Sequence, residues 1–166
     1  MTGASSSEHH DVCVFCNTSE PGRDELILVR GRVSFVILNR YPYNSGHLMV
    51  VPNRHVPSLA SMSAEEQAEL VKLTRHAEIA LAEVYAPHGI NMGINLGKPA
   101  GAGVLDHLHM HVVPRWNGDT NFMTVVGEVR VLSEDLSQTA TKLRPIFERL
   151  AKEETAEGAK IAENKI

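Results

Sequence analysis

The chain has 166 residues, 43% apolar and 22% charged, which is an ordinary globular composition and the length of one domain with a substantial core. A formal charge of -4 excludes a protein that grips nucleic acid by blanketing its phosphates with Lys and Arg, so no nucleic-acid partner is expected. No run approaches the ~18 consecutive apolar residues of a membrane span, the polar start MTGASSSEHHD lacks a secretory-signal layout, and two cysteines cannot make a disulfide framework; a cytoplasmic chain with no membrane partner is expected.

Residues 1–12 read as a flexible polar leader. Cys13 and Cys16, in CVFC, have metal-ligand spacing but supply only half of a tetrahedral zinc site; two buried reduced thiols and a redox pair are the other readings. LILVRGRVSFVILN reads as two β-rich runs around Arg30 and Gly31, and GHLMVVP is a third, opened by glycine and closed by proline. Ser63 with Glu66 forms a capping-box pattern, after which Leu70, Leu73, Ala77, Leu81 and Val84 recur at helical spacing up to Pro87, predicting a long amphipathic helix over the sheet. INMGINL, LHMHVVP and FMTVV are further strand-like segments, separated by the loops GKPAGAG and WNGD.

Leu136, Ala140, Leu143, Phe147 and Leu150 share one face of a C-terminal helix, which Pro145 is expected to bend. The Lys/Glu-rich run after Leu150 reads as a solvated tail extending that helix. The expected fold class is α+β: an antiparallel sheet of about five or more strands with one long helix and a C-terminal helix. A single domain is expected over 13–151, between the leader at 1–12 and a charged tail at 152–166.

The chemistry-bearing segment is HLHMHVVP, where His107, His109 and His111 alternate with Leu108, Met110 and Val112. In extended backbone, residues i, i+2 and i+4 share a face, so the three imidazoles project to one side, whereas a helix would scatter them by about 200° per step. Near neutral pH such a row offers a lone-pair nucleophile, a proton donor and a cationic partner together, the three roles that phosphoryl chemistry uses. The spacing leaves two other readings open, a polar strand face and a metal site of alternating histidines. The GKPAGAG loop before the row can bring backbone N–H groups near an anion, and Lys98 and Arg115 bracket it with positive charge. It is not a Walker loop, since its lysine comes early and a strand follows.

HLHMHVVP resembles the His-x-His-x-His-x-x signature of the histidine triad superfamily. NRYPYNSGHLMVVPNRHV is similar to the nucleotide-binding strand and turn of its fragile-histidine-triad branch, and PRWNGDTNFM to the segment after the triad in bacterial members that cleave diadenosine tetraphosphate. The resemblance covers roughly 13–123. It implies that His109 attacks the α-phosphorus of a nucleotide to form a nucleotidyl-imidazole, that His111 contacts the α-phosphate and bridging oxygen, and that His107 supports the nucleophile. It also implies His47 beside the triad, Asn39 at the ribose, and Ile37, Met49 and Phe15 in an apolar base pocket. Asn95, Lys98 and Gly103 are the loop residues expected at the substrate phosphates. Human-type members carry a phosphate-contacting glutamine where this chain has Leu96, a departure that bears on phosphate recognition and on the acceptor; NLGKPAGAG followed by DHLHMHVVPRWNGDTNF is more similar to the bacterial enzymes, some of which use phosphate instead of water.

Several superfamily members complete a structural zinc site from residues matching His55 and His107 here, giving the ligand set Cys13, Cys16, His55 and His107; no organic cofactor is implied. The resemblance also implies a homodimer. The expected function is cleavage of dinucleoside polyphosphates, diadenosine tetraphosphate foremost. The competing readings are a nucleoside phosphoramidase using the same histidines and a non-catalytic nucleotide-binding or interaction module.

Overall fold

Short apolar runs, each ended by glycine, proline or a polar turn, become the strands of the computed structural model, which describes residues 13–17, 24–104, 106–119 and 134–163. The strands are β1 (Ile27–Arg30), β2 (Ser34–Leu38), β3 (Leu48–Pro52), β4 (Gly89–Ile94) and β5 (Met110–Arg115), and the helices are α1 (Ala64–Tyr85) and α2 (Leu136–Glu163). They form one antiparallel sheet in the order β1-β2-β3-β5-β4. The expected α+β class, with one long helix and a C-terminal helix, is the observed one.

Every residue of β2 and β3 is buried, because both faces of the sheet centre are covered. Period-two alternation sorts them. Val36, Leu38, Leu48, Val50, Leu108 and Val112 meet Leu70, Leu73, Ala77 and Leu81 of α1 and Leu143 and Phe147 of α2 in the main core. Phe35, Ile37, Met49 and Val51 point the other way, onto the turn carrying Cys13 and Phe15. Met49 pairs with His111 across the β3–β5 ladder, so His111 lies on the face away from the helices.

The capping box sets the start of α1: the Ser63 hydroxyl accepts from the Glu66 N–H (3.2 Å) and the Glu66 carboxylate accepts from the Ser63 N–H (2.7 Å). The helix ends where Ala86 turns left-handed (φ 43°) before Pro87. One turn further into α1, Glu69 accepts from the backbone N–H groups of Arg32 (2.9 Å) and Val33 (2.6 Å), clamping the β1–β2 turn to the helix. Gly31 leaves room for this clamp, since a Cβ there would meet the Glu69 carboxyl at 2.9 Å.

One sequence expectation changes. The triad was expected wholly within a strand, but β5 begins only at Met110. The Leu108 N–H bonds instead to the Val56 carbonyl (2.7 Å), which holds the lead-in extended but outside the ladder. FMTVV lies outside the described residues. Helix α2 continues through Pro145 and on to Glu163.

Candidate active site

The alternation of HLHMH places Leu108 in the core and sends the three imidazoles to the opposite side as a contiguous row. His109 and His111 have ring centroids 4.8 Å apart, and Phe15 lies 5.4 Å from His107 and 5.1 Å from His109. The three rings do different things, and their hydrogen bonds assign the protons.

A carbonyl can only accept, so the 2.9 Å contact of His109 Nδ1 with the His107 carbonyl places the His109 proton on Nδ1 and leaves Nε2 with a free lone pair. A second chain of bonds fixes His111. The backbone N–H of Tyr43 donates to His47 Nδ1 (3.1 Å), so His47 carries its proton on Nε2 and donates it to His111 Nδ1 (2.9 Å). That leaves His111 protonated on Nε2. The site therefore pairs an acceptor nitrogen on His109 with a donor nitrogen on His111. Asn39 joins the same chain: its Oδ1 accepts from the Tyr41 N–H (2.9 Å) and its Nδ2 lies 3.3 Å from His47 Nδ1.

Burial keeps these rings neutral. It pushes the His47 imidazole down to about 3, with the neighbouring His111 and His109 adding to the effect, and the His111 imidazole down to about 4, with His109 adding. His109 is lowered too, by burial, against the opposing bond to the His107 carbonyl. A neutral His109 retains the lone pair that attack on phosphorus needs.

A cavity of about 480 Å³ opens over this pair, in the range that encloses one drug-sized molecule. Phe15, Leu26, Ile37, Met49 and Val104 line its apolar part, and Asn39, His109 and His111 its polar part. Gly101 and Gly103 of the glycine-rich loop also line it. Asn95 stands behind the loop, its Nδ2 3.4 Å from the Gly101 carbonyl, and Lys98 is exposed in a single 3-10 turn outside the lining. Arg115, expected to lend positive charge, is instead held by Asp119 through Nε (2.6 Å) and Nη2 (2.7 Å). An aspartate four residues on, brought back by the turn at Gly118, takes up that guanidinium.

His107, on the same side, lies outside the cavity lining. Its Nε2 donates to the Pro52 carbonyl (2.9 Å), leaving the Nδ1 lone pair 3.3 Å from Cys13 Sγ and 3.5 Å from Cys16 Sγ. His55 Nδ1 lies 3.2 Å from Cys16 Sγ. The ligand atoms of Cys13, Cys16, His55 and His107 all fall within 4.8 Å of one another, a group that could hold a metal ion. Two thiols and two imidazoles suit tetrahedral zinc, and the bond to Pro52 is the outer-shell contact that orients such a histidine. Burial first, and then Cys13, raise the Cys16 thiol to about 11, so without a cation that thiol stays protonated.

Sequence reasoning did not find Arg40, Tyr41, Tyr43, Val14, Leu26 or Val104, all of which line the cavity. Two tyrosines beside a proline in a loop were a signal for the first group. Leu26 and Val104 carried none, because segments far apart in the chain bring them there.

The HIT domain family model matches residues 21–118, and the chain belongs to that family. It is similar to a Mycobacterium tuberculosis protein named AP-4-A phosphorylase, 47% identical over 114 residues. That alignment covers 69% of this chain and 58% of the relative, so the chain spans under two thirds of that relative's length. It is also similar to a Dictyostelium discoideum bis(5'-adenosyl)-triphosphatase, 30% identical over 132 residues, covering 76% of this chain and 88% of the relative. Among solved structures, a zinc-bound histidine triad family protein from Mycobacterium smegmatis superposes with a TM-score of 0.69 at 28% identity, over 86% of this chain and 98% of that one.

Proposed function

We propose that this protein cleaves dinucleoside polyphosphates, diadenosine tetraphosphate foremost, through a nucleotidyl-His109 intermediate. The observation that carries this reading is the opposed protonation of two adjacent rings, with the His109 Nε2 lone pair and the His111 Nε2–H at the polar end of one cavity.

The base and ribose occupy the apolar pocket and the Asn39 amide, which brings the α-phosphorus to His109. The Nε2 lone pair forms the P–N bond as the bond to the bridging oxygen breaks. His111 Nε2–H donates to that oxygen, so ATP departs from diadenosine tetraphosphate and AMP stays on the imidazole. An acceptor oxygen then attacks phosphorus, breaks the P–N bond and restores neutral His109. Phosphate yields ADP and water yields AMP, and the relative named AP-4-A phosphorylase favours phosphate.

Cys13, Cys16, His55 and His107 would hold zinc, whose bonds would tie the N-terminal turn to the segment after β3 and to the lead-in of β5. Its role is structural. Among the described residues no helix is long and apolar enough to cross a membrane, and a reducing cytoplasmic location suits the two free thiols. A homodimer belongs to the same reading, and β4 offers an exposed sheet edge with Met92 on it.

The test is incubation with diadenosine tetraphosphate with and without phosphate. ADP and ATP formed only with phosphate support phosphorolysis, and AMP with ATP supports hydrolysis. An intact substrate in both cases overturns the proposal.

A further inference from the structure

The cavity has room for one half of a dinucleotide, yet the substrate class proposed above has two. Four phosphates separate the nucleosides of diadenosine tetraphosphate, so the leaving half must cross the mouth of the cavity.

The direction it takes can be read from the rings. Phe15 packs on His107 and His109, at the end where the apolar base pocket lies. Tyr43 packs on His47 (centroids 4.7 Å apart) and lies near-parallel to His111 (6.1 Å, 28°). In-line displacement sends the leaving oxygen away from His109 and past the His111 donor, hence toward the Tyr43 side. The rim there is the loop between β2 and β3, and its lining residues are Arg40, Tyr41 and Tyr43.

Two of these residues are placed as a ligand platform would be. Tyr41 is 72% exposed, although a tyrosine ring normally gains by being covered. Arg40 is exposed at the cavity wall and, among the described residues, pairs with no carboxylate, in a chain whose other arginines largely do. Their backbone is fixed by bonds that also serve the catalytic rings. The Asn39 side chain accepts from the Tyr41 N–H, His47 accepts from the Tyr43 N–H, the Asn39 N–H bonds to the His47 carbonyl (3.0 Å), and Asn44 is held by the Pro114 carbonyl (2.9 Å) and Asp119 (2.8 Å). A loop already ordered costs little to engage.

We propose that Arg40 and Tyr41 form the binding shelf for the leaving nucleotide, with the guanidinium on its phosphates and the Tyr41 ring against its base. The shelf makes the site selective for two-headed substrates over mononucleotides, and it rests on the reading of His109 as the nucleophile toward them. Planar fork geometry suits a phosphate chain, and base-on-aromatic stacking tolerates any base.

The experiment uses His109→Ala protein, in which turnover is expected to be too slow to consume the ligand, and compares the Kd of diadenosine tetraphosphate with that of AMP by calorimetry. Arg40→Ala and Tyr41→Ala, each added to that background, are expected to lower the preference for diadenosine tetraphosphate over AMP by about tenfold. Arg40→Lys and Tyr41→Phe should recover most of it, and Arg40→Glu should lower it further. Both side chains are exposed, so an unchanged melting temperature verifies folding. Equal weakening of both ligands, or no preference in the His109→Ala parent, overturns the shelf. Failure of both ligands to bind the parent overturns instead the reading of the cavity as a nucleotide site.

Discussion

His107 and His109 are the same residue type two positions apart in the histidine row, and they serve opposite purposes. His107 turns its Nδ1 toward two sulfurs and a second imidazole, a group suited to holding segments together. His109 turns its free nitrogen into a cavity, opposite a donor on His111. The difference comes from what the other ring nitrogen bonds: the Pro52 carbonyl takes Nε2–H of His107, and the His107 carbonyl takes Nδ1–H of His109. One backbone carbonyl thus links the two ends. Variants at the His107 end should move stability more than chemistry, and variants at the His109 end the reverse.

The largest expected effect is at the cavity end. His109→Ala should lower turnover of diadenosine tetraphosphate by about 10⁴-fold, as loss of a nucleophile does, while nucleotide affinity in calorimetry shifts less than about tenfold. A variant that retains turnover breaks the comparison. The next largest is at the holding end. Stripping bound zinc with a chelator, after metal analysis of the purified protein, should lower the melting temperature by roughly 10 °C, the equivalent of about 3 to 5 kcal/mol in a chain of this size. Cys16→Ala should give a similar loss and remove the metal from the analysis. Fully retained stability would leave the Cys/His group as reduced side chains without a structural ion.

Smaller is the effect of removing His47, which touches neither end of the reaction and sets the His111 proton. His47→Ala should cost about 10²-fold in kcat with KM little changed, because His111 is then free to present either nitrogen. An unchanged kcat would mean that the Tyr43–His47–His111 chain does not assign the donor. The smallest effect sharpens the same point through pH. The unfolded chain binds protons on histidine near pH 6.5, whereas burial holds His47 near 3 and His111 near 4 in the folded protein. Each group's contribution is therefore complete above 6.5 and lost as pH falls toward its folded value, at no more than about 1.4 kcal/mol per pH unit. Denaturant unfolding of His47→Asn between pH 6.5 and 4 should show a shallower decline than wild type, and an identical slope would contradict the buried neutral state.

Much of this was legible in the residues. Alternation alone placed the three imidazoles on one side, since Leu108 and Val112 had to be buried, and the Ser63–Glu66 box fixed where α1 begins. Asn39 and His47 were reachable only through family resemblance, because one asparagine and one histidine near strand ends have no pattern of their own. The proton assignment was out of reach: it depends on the Tyr43 N–H, whose direction is set by the folded loop and not by its side chain. Arg115 was misread for a related reason. Charge counted along a sequence ignores the turn that brings Asp119 back onto the guanidinium.

The central claim is that His109 Nε2 bonds to phosphorus, and the most direct measurement is trapping that bond. Diadenosine tetraphosphate labelled at the α-phosphorus should be mixed with the protein and the reaction stopped with alkali, under which an imidazole phosphoramidate persists. Label should then appear on the peptide containing His109 and vanish in His109→Ala. Turnover in wild type with no label on that peptide at any time would mean that the acceptor attacks the substrate directly and that His109 is not the nucleophile.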